Sequence, residues 1–339
     1  MTPVLSDSVQ RFAGYVATLG RGPGRSRALT REEARDALDL VLAGGVDPAQ
    51  LGAFLMLLRY RGEDPDEIAG LVDAARAHIG SLHDEAAIGA VDLDWPSYGA
   101  GRTREVPWFL LAALALGRSG VRVLMHGTNA FGSGLSVEDG LAALGLHASE
   151  SAASVGEALA RERFAYWPIR HMAPRIDRLL AMRALFGLRS PINTVARLID
   201  PADSSVSVDG VFHPPYIAVH LAVAERFGRR SLVVIKGGGG EAERTPLKPV
   251  AAHCRGPSGP RELVLPALAP DSVGMPVDAA TFAAVWTGQG AFERAERTVV
   301  GTIALALLAL EPELEVSAAD AKAAAIWGNR HRAVRVVPE

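Results

Sequence analysis

The 339-residue chain is short of the features that settle a protein's class quickly. It has one cysteine, Cys254, which excludes a disulfide framework and a thiolate metal cluster. A reducing cytoplasm is the expected compartment. Aromatic residues make up only 6% of the chain, as suits an alanine- and leucine-rich α/β protein. Neither sign of charge dominates: 35 Lys and Arg stand against 38 Asp and Glu, for a net charge of −3. That excludes global attraction to nucleic acid or anionic membranes, so any polyanion site must come from local clustering. The longest apolar run, near residues 302–310, is far too short to span a membrane, and no membrane partner is expected. The start, MTPVLSDSVQRFAGYV, has neither the basic opening nor the apolar stretch of a secretory signal. Internal repeats and long low-complexity segments are missing too.

About half of the residues, 49%, are apolar, and the length favours two domains. Residues 1–80 predict helices only, the first over 9–19. Thr30 with Glu33 forms a capping box before a helix over 31–43, which ends at Gly44-Gly45. Asp47-Pro48 opens a third helix, with an apolar stripe of Leu51, Phe54, Leu55 and Leu58. Asp64-Pro65 opens a fourth, over 66–78. From about residue 88 the pattern alternates. A strand over 90–94 precedes a glycine loop over 95–104, a helix over 106–116 and a strand over 121–125. His126-Gly127-Thr128-Asn129 turns out of that strand. Helices follow over 136–144, 155–163 and 171–188, with a short extended piece over 165–168 and a connector over 190–200. A helix over 215–227 feeds a strand over 231–235, and a further strand is predicted over 261–265. Helices over 281–286, 292–310 and 318–327 complete the chain. The fold class is α/β: a small N-terminal helical domain (1–80, with a returning helical segment about 168–190) and a larger α/β domain (88–167 and 191–339) with a mainly parallel central sheet.

Several positions carry chemistry. Arg102 and Arg104 lie just before a helix N-terminus, where cations are disfavoured unless an anion is bound; they are phosphate contacts or two solvated arginines. Arginines 161, 163, 170, 175, 178, 183 and 189 face only Glu162 and Asp177 over the same stretch. On one helix, Arg175 and Arg178 share a face with Arg183 about two turns on, giving a basic stripe or a solvated face. The loop over 21–27 and the tail from Arg330 add further positive charge. Trp108 belongs to the core, whereas Tyr98 is either exposed enough to stack on a base or packed as a lid. His126 ends a strand, where it contacts phosphate, acts as an acid–base group or is structural. Lys236 with Gly237 to Gly240 makes an anion nest or an interdomain hinge. Glu241 and Glu243 are too few for a metal site, and His213 and His220 stay unassigned.

Several blocks resemble one family. They include Leu29-Thr30-Arg31-Glu32-Glu33-Ala34, the run Ala49 to Arg59, and Glu67-Ile68-Ala69-Gly70-Leu71. Further on come His126-Gly127, the run Glu138 to Gly145, and Arg183 with Phe186-Gly187-Leu188-Arg189-Ser190-Pro191-Ile192-Asn193. Together they are similar to anthranilate phosphoribosyltransferase and the nucleoside phosphorylases. The resemblance implies a cleft between a helical and an α/β domain, dimerisation through the helical domain, and Arg183 at the position that binds the aromatic acceptor. The departures matter as well. The family's GTGGD loop is here Pro96-Ser97-Tyr98-Gly99-Ala100-Gly101-Arg102. The lysine before His126 is Met125, and the metal-binding DE pair falls on Ala242 and Glu243. These departures, with Asp94-Trp95-Pro96-Ser97-Tyr98, Met125-His126-Gly127 and the segment Ile235 to Pro246, resemble a YbiB-type branch of nucleic-acid-binding proteins. That branch implies a homodimer that binds single-stranded DNA or RNA through Arg102, Arg104, Arg170, Arg175, Arg178, Arg183, Arg189 and Lys236. It also implies a degenerate cleft at Tyr98, Gly99, Gly101, His126, Gly127, Asn129, Asn193 and Glu243, with no catalytic residue, cofactor or metal. The alternative is a glycosyl or phosphoribosyl transferase with an altered substrate, the one reading under which magnesium is a possible cofactor; a small-anion sensor is a third option.

Overall fold

A computed structural model describes residues 6–22, 24–99, 106–128, 130, 132, 134–274 and 276–331. Four helices form the first unit: α1 (Asp7–Gly20), α2 (Arg31–Ala43), α3 (Pro48–Arg61) and α4 (Pro65–Leu82). Each is started by a side chain that accepts from free backbone N–H groups of the first turn: Ser6, Thr30, Asp47 and Asp64. The Thr30–Glu33 capping box is present. Pro48 and Pro65 supply a fixed φ at the first helical position, where the missing N–H costs nothing. Phe12, Leu38, Phe54, Leu55, Leu58, Ile68 and Val72 fill the space between these helices.

The second unit is a seven-stranded sheet with its helices: β1 (Leu93–Ser97), α5 (Trp108–Arg118), β2 (Val123–Gly127), α6 (Val137–Ala143), α7 (Ala152–Glu162), β3 (Phe164–Pro168), α8 (Ile169–Met172), α9 (Pro174–Ala181), α10 (Arg183–Phe186), α11 (Ile192–Arg197), β4 (Val206–Val211), α12 (Pro215–Arg226), β5 (Ser231–Lys236), β6 (Val250–Gly256), β7 (Gly259–Leu265), α13 (Ala279–Thr287), α14 (Glu293–Leu310) and α15 (Val316–Gly328). The strand order is β3-β2-β1-β4-β5-β6-β7. The first five strands are parallel, and β6 and β7 are antiparallel.

Both faces of the sheet are covered, and alternate residues of one strand enter different cores. Val123, Met125, Phe164 and Tyr166 pack with α5, α14 and α15. Leu124, Ala165 and Trp167 pack with the four-helix unit and with α9 and α11. Strands apolar on both faces are the mark of a parallel sheet, and the helical unit serves as one of its covers. Among the described residues no helix is long and apolar enough to cross a membrane.

The chain runs from β1 outward to β2 and β3, then returns to lay β4 on the other side of β1. The switch point lies between β1 and β4, where crevices open beyond the carboxyl ends of strands. Pairing of β1 with β4 is confined to Asp94 and Ser207, and Pro96, which has no N–H for the ladder, lies just beyond that pair. Gly210 is required on the β4 side. A Cβ there would stand 2.1 Å from the Glu241 carbonyl carbon and 2.4 Å from the Ala242 nitrogen. Gly210→Ala is therefore expected to cost about 3 kcal/mol, at the upper end of overpacking penalties, and urea unfolding measures it.

Three expectations need correction. Trp95, Pro96 and Ser97 belong to β1, not to the loop, because they pair with Met125, His126 and Gly127 of β2 in a strand buried along its whole length. The single helix expected over 171–188 is three short pieces, interrupted at Ala173-Pro174 and Met182, since Pro174 cannot continue a preceding helix. The connector expected over 190–200 holds α11, buried at all six positions.

Candidate functional site

Two pockets flank the switch point. The first lies beyond β1 and β2 and encloses about 380 Å³, bounded by Ser97, Gly99, Phe109, Thr128, Ser136 and Glu241. A Cβ at Gly99 would stand 2.5 Å from the Glu241 Oε1, so the Glu241 carboxylate would have to move to admit one. Gly127 admits no Cβ, which would meet the Ser97 carbonyl oxygen at 1.8 Å. Glu243, one of the carboxylates flagged by sequence, accepts a hydrogen bond from the Phe109 N–H at 2.9 Å. It thus satisfies a free donor of the first turn of α5, at the positive end of the helix dipole. Among the described residues no three His, Cys, Asp or Glu side chains are grouped to hold a metal ion. Two glutamates, one of them committed to a helix end, do not fit a protein-held magnesium centre.

Tyr98 does not offer a stacking face. It is 2% exposed, and its hydroxyl lies 2.9 Å from the His126 Nδ1. Burial raises the phenol well above its ordinary range, so it keeps its proton and donates to Nδ1. The His126 Nε2 then carries the hydrogen and lies 3.2 Å from the Asp94 Oδ1. His126 is 0% exposed, with Tyr98 at Nδ1 and Asp94 beside Nε2, and it does not line the pocket. Asp94 is pushed up to about 6 by burial first and then by Asp200, against the opposing pull of His126 and Arg229. Arg229 lies 3.9 Å from Asp94 and 3.4 Å from Asp200.

The second pocket encloses about 430 Å³ beyond β4. Arg59 reaches it from α3, Arg189 from the turn after α10, and Arg197 from α11. Arg197 is buried and donates to the carbonyls of Asn193 and Tyr98 at 2.9 and 2.8 Å. Arg189 stands over the Phe212 ring, 5.5 Å from its centroid. Burial, and then the neighbouring Arg197, Arg183 and Arg59 guanidiniums, lower Arg189 to about 10. The acid in this pocket is Glu63. It is 3.8 Å from Arg59 and accepts from the Tyr216 hydroxyl at 3.0 Å, and burial raises its pKa. Burial, with Glu63 next, pushes Tyr216 itself up to about 12. Asn193, which donates to the Ser190 carbonyl at 3.1 Å, also lines this pocket, as does His220. The site is concave, with aromatic walls and three guanidiniums against one carboxylate, the chemistry that suits a small planar anion.

The arginine stripe expected from sequence is not assembled. Arg175 and Arg178 are exposed on α9, but Arg183 begins a separate turn and Arg189 turns inward. Arg170 is paired with Glu138 through two hydrogen bonds, at 2.9 and 2.5 Å. Lys236 is exposed at the end of β5. Arg102, Arg104, Gly101 and Asn129 lie outside the described residues. Sequence reasoning missed Arg59, Glu63, Arg197, Phe212, Tyr216 and His220 as a group. They come from four separate segments, and no local spacing joins them.

A helical bundle docked on a doubly wound sheet, with paired pockets at the switch point, defines a two-domain α/β protein. The model for the helical bundle domain of the glycosyl transferase family matches residues 14–79. Anthranilate phosphoribosyltransferase from Methylobacterium nodulans is 32% identical over 276 residues, 77% of each chain. The same enzyme from Rhizobium meliloti is 32% identical over 233 residues, 66% of each chain, so the match spans just under two thirds of that relative's length. Among solved structures, anthranilate phosphoribosyltransferase from Thermus thermophilus superposes with a TM-score of 0.76 over 94% of this chain and 95% of its own, at 23% identity. The chain belongs to the anthranilate phosphoribosyltransferase-like glycosyl transferase family.

Proposed function

We propose that the chain transfers a pentosyl group to a small anionic acceptor of the aromatic carboxylic acid class, with 2-aminobenzoate as its simplest probe. The observation that carries this is the convergence of Arg59, Arg189 and Arg197 on an aromatic-walled pocket beside the switch-point crevice. The acceptor's carboxylate sits between Arg189 and Arg197, its ring against Phe212 and Tyr216. The hydroxyls of Ser97, Thr128 and Ser136 face the pentose phosphate in the first pocket. Magnesium would arrive with the diphosphate as part of the substrate, because the protein carboxylates do not fit a resident ion.

Single-stranded DNA or RNA as partner draws less support, since Arg170 spends its charge on Glu138 and Arg189 faces inward. A homodimer through the helical unit draws support from Tyr60, Leu185 and Leu188, which are exposed on segments that meet where Phe186 approaches Gly52.

The test is incubation with phosphoribosyl pyrophosphate, magnesium and a panel of aromatic and heteroaromatic carboxylic acids, read by mass spectrometry. A pentosyl adduct with pyrophosphate release is expected. No adduct with any acid, together with tight, salt-sensitive oligonucleotide binding, would replace this reading with the nucleic-acid one.

A further inference from the structure

His220 is 1% exposed yet lines the arginine pocket. Its Nδ1 lies 2.7 Å from the Oδ2 of Asp209 on β4, a carboxylate that is itself 1% exposed. The carboxylate accepts from Nδ1–H, which fixes the tautomer and leaves the Nε2 lone pair as the group available to the pocket. A buried carboxylate behind an imidazole orients the ring and stabilises the imidazolium once a proton arrives. The charged and titratable groups around this pair are Glu63 from the α3–α4 connection, Arg197 from α11, Tyr216 and His213 at the start of α12, and Arg229, whose charge Asp209 supports from behind. The contrast with His126 is chemical. His126 is sealed between Tyr98 and Asp94, whereas His220 has one nitrogen anchored and the other at a pocket wall.

We propose that His220, held by Asp209, is the proton acceptor of the arginine pocket and the catalytic base for transfer to the acid bound there. As the acceptor's N–H or O–H attacks the pentose carbon, the new bond to carbon forms. The bond from that carbon to the leaving phosphate oxygen breaks, and its electron pair departs on that oxygen. The acceptor's proton passes to His220 Nε2. The transfer step rests on the pentosyl-transferase reading; the proton-acceptor role requires only that the pocket bind an anion.

The test is calorimetric titration of the full chain with 2-aminobenzoate at pH 7, in two buffers of different ionisation enthalpy. Wild type is expected to take up only part of a proton on binding, so that in the remaining complexes Nε2 stays free to accept the acceptor's proton. His220→Gln is expected to bind within about threefold and take up none, and Asp209→Asn to take up less than wild type. Long-range proton–nitrogen NMR of the wild type, assigned through Asp209→Asn, covers the case in which His220→Gln misfolds: His220 must show Nδ1 protonated and an Nε2 resonance that moves with ligand. Binding without proton uptake, uptake unchanged in His220→Gln, the opposite tautomer, or no binding of 2-aminobenzoate at millimolar concentration would each overturn the proposal. Where turnover is found, His220→Gln should lower kcat about 10²–10⁴-fold with KM little changed, and retained kcat overturns the base role while leaving the transferase reading intact. Binding with His220-linked uptake but no adduct from any acceptor contradicts the transferase reading and leaves His220 as the proton acceptor.

Discussion

Arg189→Met is expected to weaken anion binding sharply while leaving the protein as stable as wild type or more so. Among the described residues Arg189 has no hydrogen bond or ion pair, and its guanidinium is crowded by Arg197, Arg183 and Arg59. Removing it relieves like-charge repulsion and deletes a desolvated cation that only a ligand would satisfy. Truncating a charge that pairs with a buried ligand group costs about 2–5 kcal/mol of binding, so the affinity for 2-aminobenzoate should fall at least about 30-fold. Calorimetry and thermal unfolding on the same variant decide the matter. Equal loss of stability and affinity would mean that Arg189 is a structural cation. Binding residues that weaken the fold they sit in are a known trade-off.

Asp94→Ala is expected to be the most destabilising of the substitutions considered. Asp94 lies at the centre of the sheet, with His126 on one side and Arg229 on the other. Its loss leaves the His126 Nε2–H and part of the Arg229 charge facing a void. Breaking a buried charge pair from one side costs about 3–5 kcal/mol, and urea unfolding at pH 7 measures it.

The pH dependence of this site has a definite sign. The folded-state value of Asp94 is raised to about 6, from an ordinary 3.8. Its protonation therefore contributes stability that is full below about 3.8 and lost as the pH rises through about 6. Asp94→Asn never ionises, so it should gain stability relative to wild type between pH 4 and 6.5. A flat difference across that window would show that Asp94 titrates normally in the folded chain.

Much of the fold was legible because its signals are local. The Thr30–Glu33 capping box and the prolines after Asp47 and Asp64 mark helix starts that depend on a few adjacent residues. The strand and helix around Val123 and Trp108 follow the same logic. β4 was not foreseen because Val206–Val211 contains Asp209 and Gly210, residues that weaken a strand taken in isolation. Both are explained by distant partners: Asp209 by His220, and Gly210 by the backbone of Glu241. The candidate site was legible only in part for the same reason. Arg189 and Asn193 stood out within one family-like block. The pocket they join is completed by Arg59 from the helical unit and by Arg197 and His220 from other segments. Charge counting favoured the visible cluster over 161–189, yet the fold pairs Arg170 away, leaves Arg175 and Arg178 outside and turns Arg189 in.

The central claim is that the arginine pocket takes a small anionic acceptor next to a pentose phosphate. The most direct measurement is calorimetric titration of the wild-type chain with 2-aminobenzoate, alone and with magnesium and phosphoribosyl pyrophosphate present, repeated with a single-stranded oligonucleotide as competitor. Saturable 2-aminobenzoate binding is expected, strengthened when the pentose donor is present and not displaced by the oligonucleotide. Absence of binding in both conditions, or full displacement by the oligonucleotide, would contradict the claim.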